Sequence, residues 1–299
     1  MKIENIDDLR VIVQAARAGS LSGAARALGL TPAAASATLK RVEAQLATRL
    51  FERSTRALRV TEQGRIMVDY AQRALDLIAE GELQATEGSL QLRGTVRVAA
   101  PSDLTRTMLL PLFDQFAALH PDVHLALRVS DHPRDVLRDE VDLAIRYGVL
   151  ADSQLTARVL AVAQPVVVAS PAYLERHGIP RTPQDLLAHN CLTYDRAGRR
   201  YRAWRFIRDG KWTEVLVDGD RSADDASLVS AWTLAGHGIT LRSDIDLRAD
   251  LAFGALRRVL ADWDTEPYPL HAIMPSARFV PQRVRALVDF LAAAFEPGL

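Results

Sequence analysis

The chain has 299 residues, room for one large domain or, by ordinary domain size, two or three modules. It is 48% hydrophobic and 25% charged, with 37 basic and 37 acidic side chains, which allows a sizeable core and excludes a uniformly basic coat protein or a charged disordered chain. Its single cysteine, Cys191, excludes a disulfide framework and any multi-cysteine metal site.

Ile6, Leu9, Ile12, Val13 and Ala16 recur at helical spacing, so residues 4–18 read as a helix that Gly19 breaks. Ser20 can cap a second helix over 21–28, with Ala24, Ala25 and Leu28 on one face. Gly29 makes a tight turn. Thr31 is an N-cap candidate with Pro32 at the first helical position, and Leu39, Val42 and Leu46 give this third helix, running to about Ala47, a buried stripe. Leu50-Phe51 and residues 58–60 read as two short strands around the polar tip Ser54-Thr55-Arg56. Thr61 caps a long helix from Glu62 to about Leu90, roughly 40 Å at the usual rise. Its stripe of Met67, Tyr70, Ala74, Leu77 and Ile78 needs a cover. Self-association is the simplest cover, and folding back on its own domain is the alternative.

After Arg93-Gly94 the texture becomes α/β. Strands are expected at 95–100, 123–129, 141–146, 164–169, 238–241 and 271–274, with helices at 105–119, 171–177, 226–235 and 282–295. Residues 204–207 and 214–217 read as a hairpin closed by Asp209-Gly210. Charge is also uneven. Residues 1–65 carry eleven bases and six acids, so a small basic module precedes a larger acidic body. That suggests a polyanion partner at one end, with chance as the ordinary alternative.

The stretch SLSGAARALGLTPAAASATLKRVE has the form of a helix-turn-helix. Ala24 and Ala25 are small where two helices cross, and the face opposite Leu39 and Val42 presents Pro32, Ala33, Ser36, Ala37 and Lys40, with Arg41 at the flank. Residues 24–64, AARALGLTPAAAS followed by LKRVEAQLATRLFERSTRALRVTEQG, resemble the LysR-type transcriptional regulators, and the likeness extends over essentially the whole chain. The resemblance implies a fold of α plus α/β type: a winged helix-turn-helix over 1–61, a dimerisation linker helix over 62–90 and a two-lobed effector domain over 94–299. The lobes would be about 94–162 with 268–299, and about 163–267, an architecture shared with periplasmic solute-binding proteins. It implies DNA contacts from Thr31, Pro32, Ser36, Lys40, Arg41, Arg53 and Arg56, to which Ser20, Ala33, Ala37, Ser54 and Thr55 are added as neighbours on the same surfaces. Ala35 stands where valine is usual, and Ala37 where a long basic side chain is common, which removes one donor and leaves readout to small groups.

Cleft residues are expected at the C-terminal ends of strands. These are Ser102, Asp103 and Leu104, then Asp131 and His132, then Arg146, and from the second lobe Asp224, Asp225, Ala226, Arg242 and Ser243. Arg146 and Arg242 suit an organic anion, since a guanidinium grips a carboxylate by two hydrogen bonds. The alternative pairs either one with a neighbouring carboxylate such as Asp142 or Asp244. The family's usual Asn-Asp pair is Asp224-Asp225 here, and the segment around residues 131–139 is about two residues short.

Enzyme readings are weak. Ser102 lies in no Gly-x-Ser-x-Gly elbow, His120 and His124 have no third ligand nearby, and Gly236-His237-Gly238 is too short for a dinucleotide loop. Cys191 reads as a buried thiol. The expected protein is a DNA-binding regulator without enzymatic activity, cofactor or metal. Its expected partners are double-stranded DNA, a small-molecule effector and further copies of itself as dimer or tetramer, with RNA polymerase as another. The start Met1–Asp8 lacks a basic-then-apolar leader and no apolar run approaches the roughly 20 residues that span a bilayer, so a cytoplasmic location without a membrane partner is expected. The rival is a small-molecule binding protein or enzyme whose N-terminal helices only dimerise it.

Overall fold

The computed structural model describes the chain except residues 1, 2, 4, 54–57, 88–91, 132–140, 149–155, 197–198, 275–279 and 297–299. The chain forms two compact units, Met1–Leu90 and Gln91–Leu299.

In the first unit, helix α1 (Ile6–Ala18) is capped by Asn5 and ends at Gly19, whose φ of 60° is the left-handed value that glycine adopts without penalty. Helix α2 (Leu21–Ala27) starts with the Ser20 hydroxyl accepting from the Gly23 amide at 3.1 Å, and α3 (Pro32–Leu46) with Thr31 accepting from Ala34 at 3.1 Å. Ile12, Ala15, Ala24, Leu39, Val42, Leu50 and Phe51 form the core. From α3 the Glu43 carboxylate accepts from the amides of Leu50 and Phe51 at 2.8 and 3.1 Å. That tie fixes where strand β1 (Phe51–Arg53) begins, and β1 pairs antiparallel with β2 (Leu58–Val60).

Helix α4 (Glu62–Glu87) follows. The Thr61 hydroxyl accepts from the Gly64 amide at 2.9 Å and donates to the Arg49 carbonyl at 2.8 Å. A Cβ on Gly64 would stand 1.9 Å from the Leu50 carbonyl oxygen. The Thr-Glu-x-Gly segment is thus a cap followed by a backbone crossing that admits no side chain. The expected apolar stripe divides between two faces. Met67, Val68 and the buried Ala71 turn toward the unit's own core, and Arg17 of α1 donates to Gln72 at 2.6 Å. Ile66, Tyr70, Leu77 and Ile78 stay exposed.

The second unit holds a five-stranded sheet in the order β4-β3-β5-β15-β6. Its strands are β3 (Gly94–Ala100), β4 (Val123–Val129), β5 (Leu143–Tyr147), β6 (Thr156–Ala163) and β15 (Tyr268–Met274). Strands β3, β4 and β5 are parallel, so their C-terminal ends gather on one edge. Between β3 and β4 the chain is helical from Ser102: α5 (Ser102–Leu104), a π-turn (Thr105–Leu109) and α6 (Leu110–Leu119). The wide turn lies where Pro111 lacks the N–H that would close onto residue 107. A second set of strands contains β7 (Pro165–Ala169), β8 (Thr193–Arg196), β9 (Arg199–Arg200), β10 (Ala203–Arg208), β11 (Lys211–Leu216), β12 (Ser222–Ala223), β13 (Ile239–Ser243) and β14 (Arg257–Val259). They form sheets ordered β13-β7-β14 and β12-β8-β9 and the hairpin β10-β11, with α7 (Pro171–His177), α8 (Ala226–Leu234) and α9 (Arg248–Ala252) alongside. The closing helix α10 (Gln282–Phe295) buries Val284, Leu287 and Leu291 on the first sheet's core. Strand β6 and the short strands β8, β9, β12 and β14 are additions to the elements read from the sequence.

Because the Gly64 crossing is backbone against backbone, Gly64→Ala should destabilise the first unit by about 2–3 kcal/mol, the cost of forced overpacking. The expected result is a lowered thermal transition for the first unit in the full chain, with the second unit's transition unmoved.

Candidate functional site

The outer surface of α3 follows from what its inner surface buries. Ala35, Leu39 and Val42 are fully buried, against α1 and α2, where Ala24 and Ala25 are also buried. Pro32, Ala33, Ala37 and Lys40 are exposed and Ser36 is half-buried, so this face lies open along the helix. Thr31 and Ser20 sit at helix N-termini, where free amides and the helix dipole favour an anion. Arg41 bonds Asp8 of α1, whose side chain is 4% exposed, so part of its guanidinium is committed inside the unit. The side chain of Arg53 and residues Ser54, Thr55 and Arg56 lie outside the described residues.

In the second unit, the gathered strand ends meet residues of the other set of strands. Asp131 accepts from the Ser102 amide at 2.8 Å, the Ser102 hydroxyl at 2.6 Å and the Ala226 amide of α8 at 2.8 Å. Asp103 accepts from the Ser230 hydroxyl at 2.6 Å and from Arg242 at 2.7 Å. Arg242 also reaches Asp246 at 3.3 Å, and Tyr147 donates to Asp246 at 2.6 Å and accepts from Ser243 at 3.2 Å. Asp225 caps α8 through Ser227. Burial pushes the Asp246 carboxyl up to about 7, with the nearby Asp103 and Asp131 adding and Arg242 and Tyr147 opposing. Burial alone would lower the Arg242 guanidinium, but Asp103 and Asp246 raise it beyond its ordinary value. Burial likewise raises the Tyr147 and Tyr268 hydroxyls.

Of the cleft residues expected from sequence, Ser102, Asp103, Asp131, Ala226, Arg242 and Ser243 come together. Two expectations are corrected, Leu104 as a cleft residue and Arg242 as an anion grip. Leu104 is fully buried in the first sheet's core beside Leu109 and Phe113 and does not line the cleft. Arg242 is no open anion grip, because two buried carboxylates share it. Its partners are Asp103 and Asp246 rather than Asp244, which accepts from the Gln164 amide at 2.9 Å; Asp142 serves Arg97. Arg146 donates to the Ser130 carbonyl. Asp224 is exposed, and His132 lies outside the described residues. Sequence reasoning missed Tyr147, Ser230 and Asp246. A signal existed only for Asp246, four residues beyond Arg242 on the same segment. Cys191 is fully buried, with burial pushing its thiol up to about 12, so it stays protonated and unreactive near neutrality.

A winged helix-turn-helix and a two-lobed α/β domain with a polar seam between its lobes define a DNA-binding regulator that senses a small molecule. Residues 6–65 match the family model of the bacterial regulatory helix-turn-helix protein, lysR family, and residues 89–296 match that of the LysR substrate binding domain. The chain belongs to the LysR family of transcriptional regulators. It is 33% identical over 293 residues to an HTH-type transcriptional regulator of Xanthomonas campestris pv. campestris, covering 96% of this chain and 84% of that one. It is 32% identical to the HTH-type transcriptional regulator CrgA of Neisseria meningitidis serogroup C, with 96% of each chain covered. The solved structure of Neisseria meningitidis CrgA matches with a TM-score of 0.64 at 31% identity, over 98% of this chain and 99% of that one. The full-length structure of the Vibrio cholerae virulence activator AphB matches with a TM-score of 0.59 at 28% identity, over 97% and 99%. Among the described residues no helix is long and apolar enough to cross a membrane.

The raised Asp246 carboxyl sets the sign of a pH effect. It prefers its proton in the folded state, so its favourable contribution is complete below about 3.8 and lost as pH rises to about 7. Between pH 5 and 8 the melting temperature of the second unit should therefore fall for the native chain relative to Asp246→Asn. Parallel pH profiles for the two proteins would contradict the assignment.

Proposed function

We propose that the outer face of α3 enters the major groove, with Pro32, Ala33, Ser36 and Ala37 at base edges and Lys40 on phosphate. Ser20 and Thr31 place helix N-termini toward the backbone, and Arg41, Arg53, Ser54, Thr55 and Arg56 serve the flank and the wing. The observation that carries this reading is the division of α3: Ala35, Leu39 and Val42 fully buried, while Pro32, Ala33, Ala37 and Lys40 are exposed. Phosphate contacts supply affinity and base edges supply choice. The exposed edge of α4, Ile66, Tyr70 and Leu77, supports pairing of two copies so that two half-sites are held at a fixed spacing. The protein acts in the cytoplasm, without enzymatic chemistry, and RNA polymerase is the partner through which a bound regulator changes transcription. The effector enters between the lobes, at Ser102, Asp103, Asp131, Asp225 and Ala226, with Arg146 close by. It shifts DNA binding only in so far as it prefers one arrangement of the lobes.

Gel shifts with the DNA upstream of the protein's own gene and of the neighbouring divergent gene test the reading. Lys40→Ala should weaken binding to specific and unrelated duplexes alike and reduce the slope of log K against log salt by about 0.9. An unchanged slope would remove Lys40 from the interface. Absence of any preferred duplex would favour a ligand-binding protein whose N-terminal helices only dimerise.

A further inference from the structure

Asp131 bridges the two lobes through its side chain. Its two carboxylate oxygens take three short hydrogen bonds. Two come from Ser102, which follows β3, and the third from Ala226, the first residue of α8 on the other lobe. The Ser227 amide lies 3.4 Å from the same Ser102 hydroxyl. These donors are what a protein offers to a bound carboxylate: backbone amides, one at the start of a nine-residue helix, and a hydroxyl. The segment carrying Asp131 is held from several sides. The Ser130 amide bonds the Ala100 carbonyl at 3.0 Å, Arg146 donates to the Ser130 carbonyl, and Tyr194 of the second lobe donates to the Asp131 carbonyl at 3.3 Å. Arg146 thereby supports the strap that carries the carboxylate.

We propose that Asp131 is an internal occupant of the effector's carboxylate seat, a tethered carboxylate that closes the lobes until a carboxylate ligand displaces it. This rests on the reading of the interlobe cleft as the effector site and adds the ligand class and the competitor. A tethered group competes at an effective concentration of millimolar or more, and a pinned strap raises that figure. A lone carboxylate therefore cannot win the seat in the native chain. The effector must bring a carboxylate and at least one further polar anchor, which is a specificity filter supplied by the protein's own side chain.

The test uses the full chain, the Asp131→Ala variant, and sodium acetate as the probe. Hydrogen exchange is followed in the peptide that contains Ala226, with thermal stability in parallel. In Asp131→Ala, protection of Ala226 should fall at least tenfold, and acetate should restore it saturably where sodium chloride at equal ionic strength does not. The native chain should show no acetate response over the same range. Equal responses of the two proteins, or no effect of acetate beyond chloride on the variant, would overturn the proposal. Should Asp131→Ala fail to fold, Asp131→Asn keeps the size but loses one acceptor oxygen. Protection at Ala226 must again drop at least tenfold, and native-like protection would overturn the proposal. Rescue needs no natural effector, so acetate binding with no response of the native chain to a library of hydroxy- and dicarboxylates would retain the seat and reject the effector reading. Where a native-chain ligand is found, Asp131→Ala should bind it at least tenfold more tightly.

Discussion

One face of α3 is available because the other is wholly consumed in packing. Ala24, Ala25 and Ala35 are fully buried, and their single methyl groups let the helices approach closely. A larger side chain at Ala24 or Ala25 would push the crossing helices apart and shift the outer face of α3 with them. Polar ties then index the wing to the helix. Glu43 holds the first amides of β1, and Thr61 and Gly64 lock the start of α4 against Leu50. Much of residues 24–64 is spent on these supports, and the outer face is carried by them.

The second unit solves a different problem. Its lobes meet through charge: one guanidinium between two buried carboxylates, and one carboxylate across three donors. Burying ions is expensive, and the return is directional contact rather than raw stability. A seam of this kind responds to small chemical changes. Exchanging one acceptor for another, or adding one proton at Asp246, alters it without exposing much apolar surface. An apolar seam of equal area would hold the lobes more firmly and sense nothing.

Local chemistry was legible in the sequence wherever a few adjacent residues decide the outcome. Ser20, Thr31 and Thr61 cap helices, Pro32 opens α3, and Asp209 and Gly210 take φ values of 51° and 73° in the hairpin turn. Strand β6 was not legible, because its sequence TARVLAVA alternates poorly and its extended state comes from pairing along β15. The two-residue β12 exists only through parallel pairing with β8. In the cleft the same limit applies to partners. Arg242 meets Asp103 across 139 positions, while Asp244, two residues along, serves the amide of Gln164. Sequence proximity proposes a partner for a charge, but the fold chooses it.

The proposed recognition face contains few side chains able to read a base. Ala33 and Ala37 can touch only a thymine methyl, and Ser36 reads ambiguously. Arg41 already spends part of its guanidinium on Asp8. In the proposed interface, contacts to phosphate through Lys40 and the helix N-termini would fix position without discriminating sequence. A single half-site read in this way is weakly selective, and sequence-dependent shape must contribute. Selectivity then grows mainly by joining half-sites, since two modest preferences on one rigid pair multiply. The exposed apolar edge of α4 suits such pairing, so in the proposed reading the poverty of α3 and the stickiness of α4 belong to one design: discrimination moved from the single helix to the spacing between two.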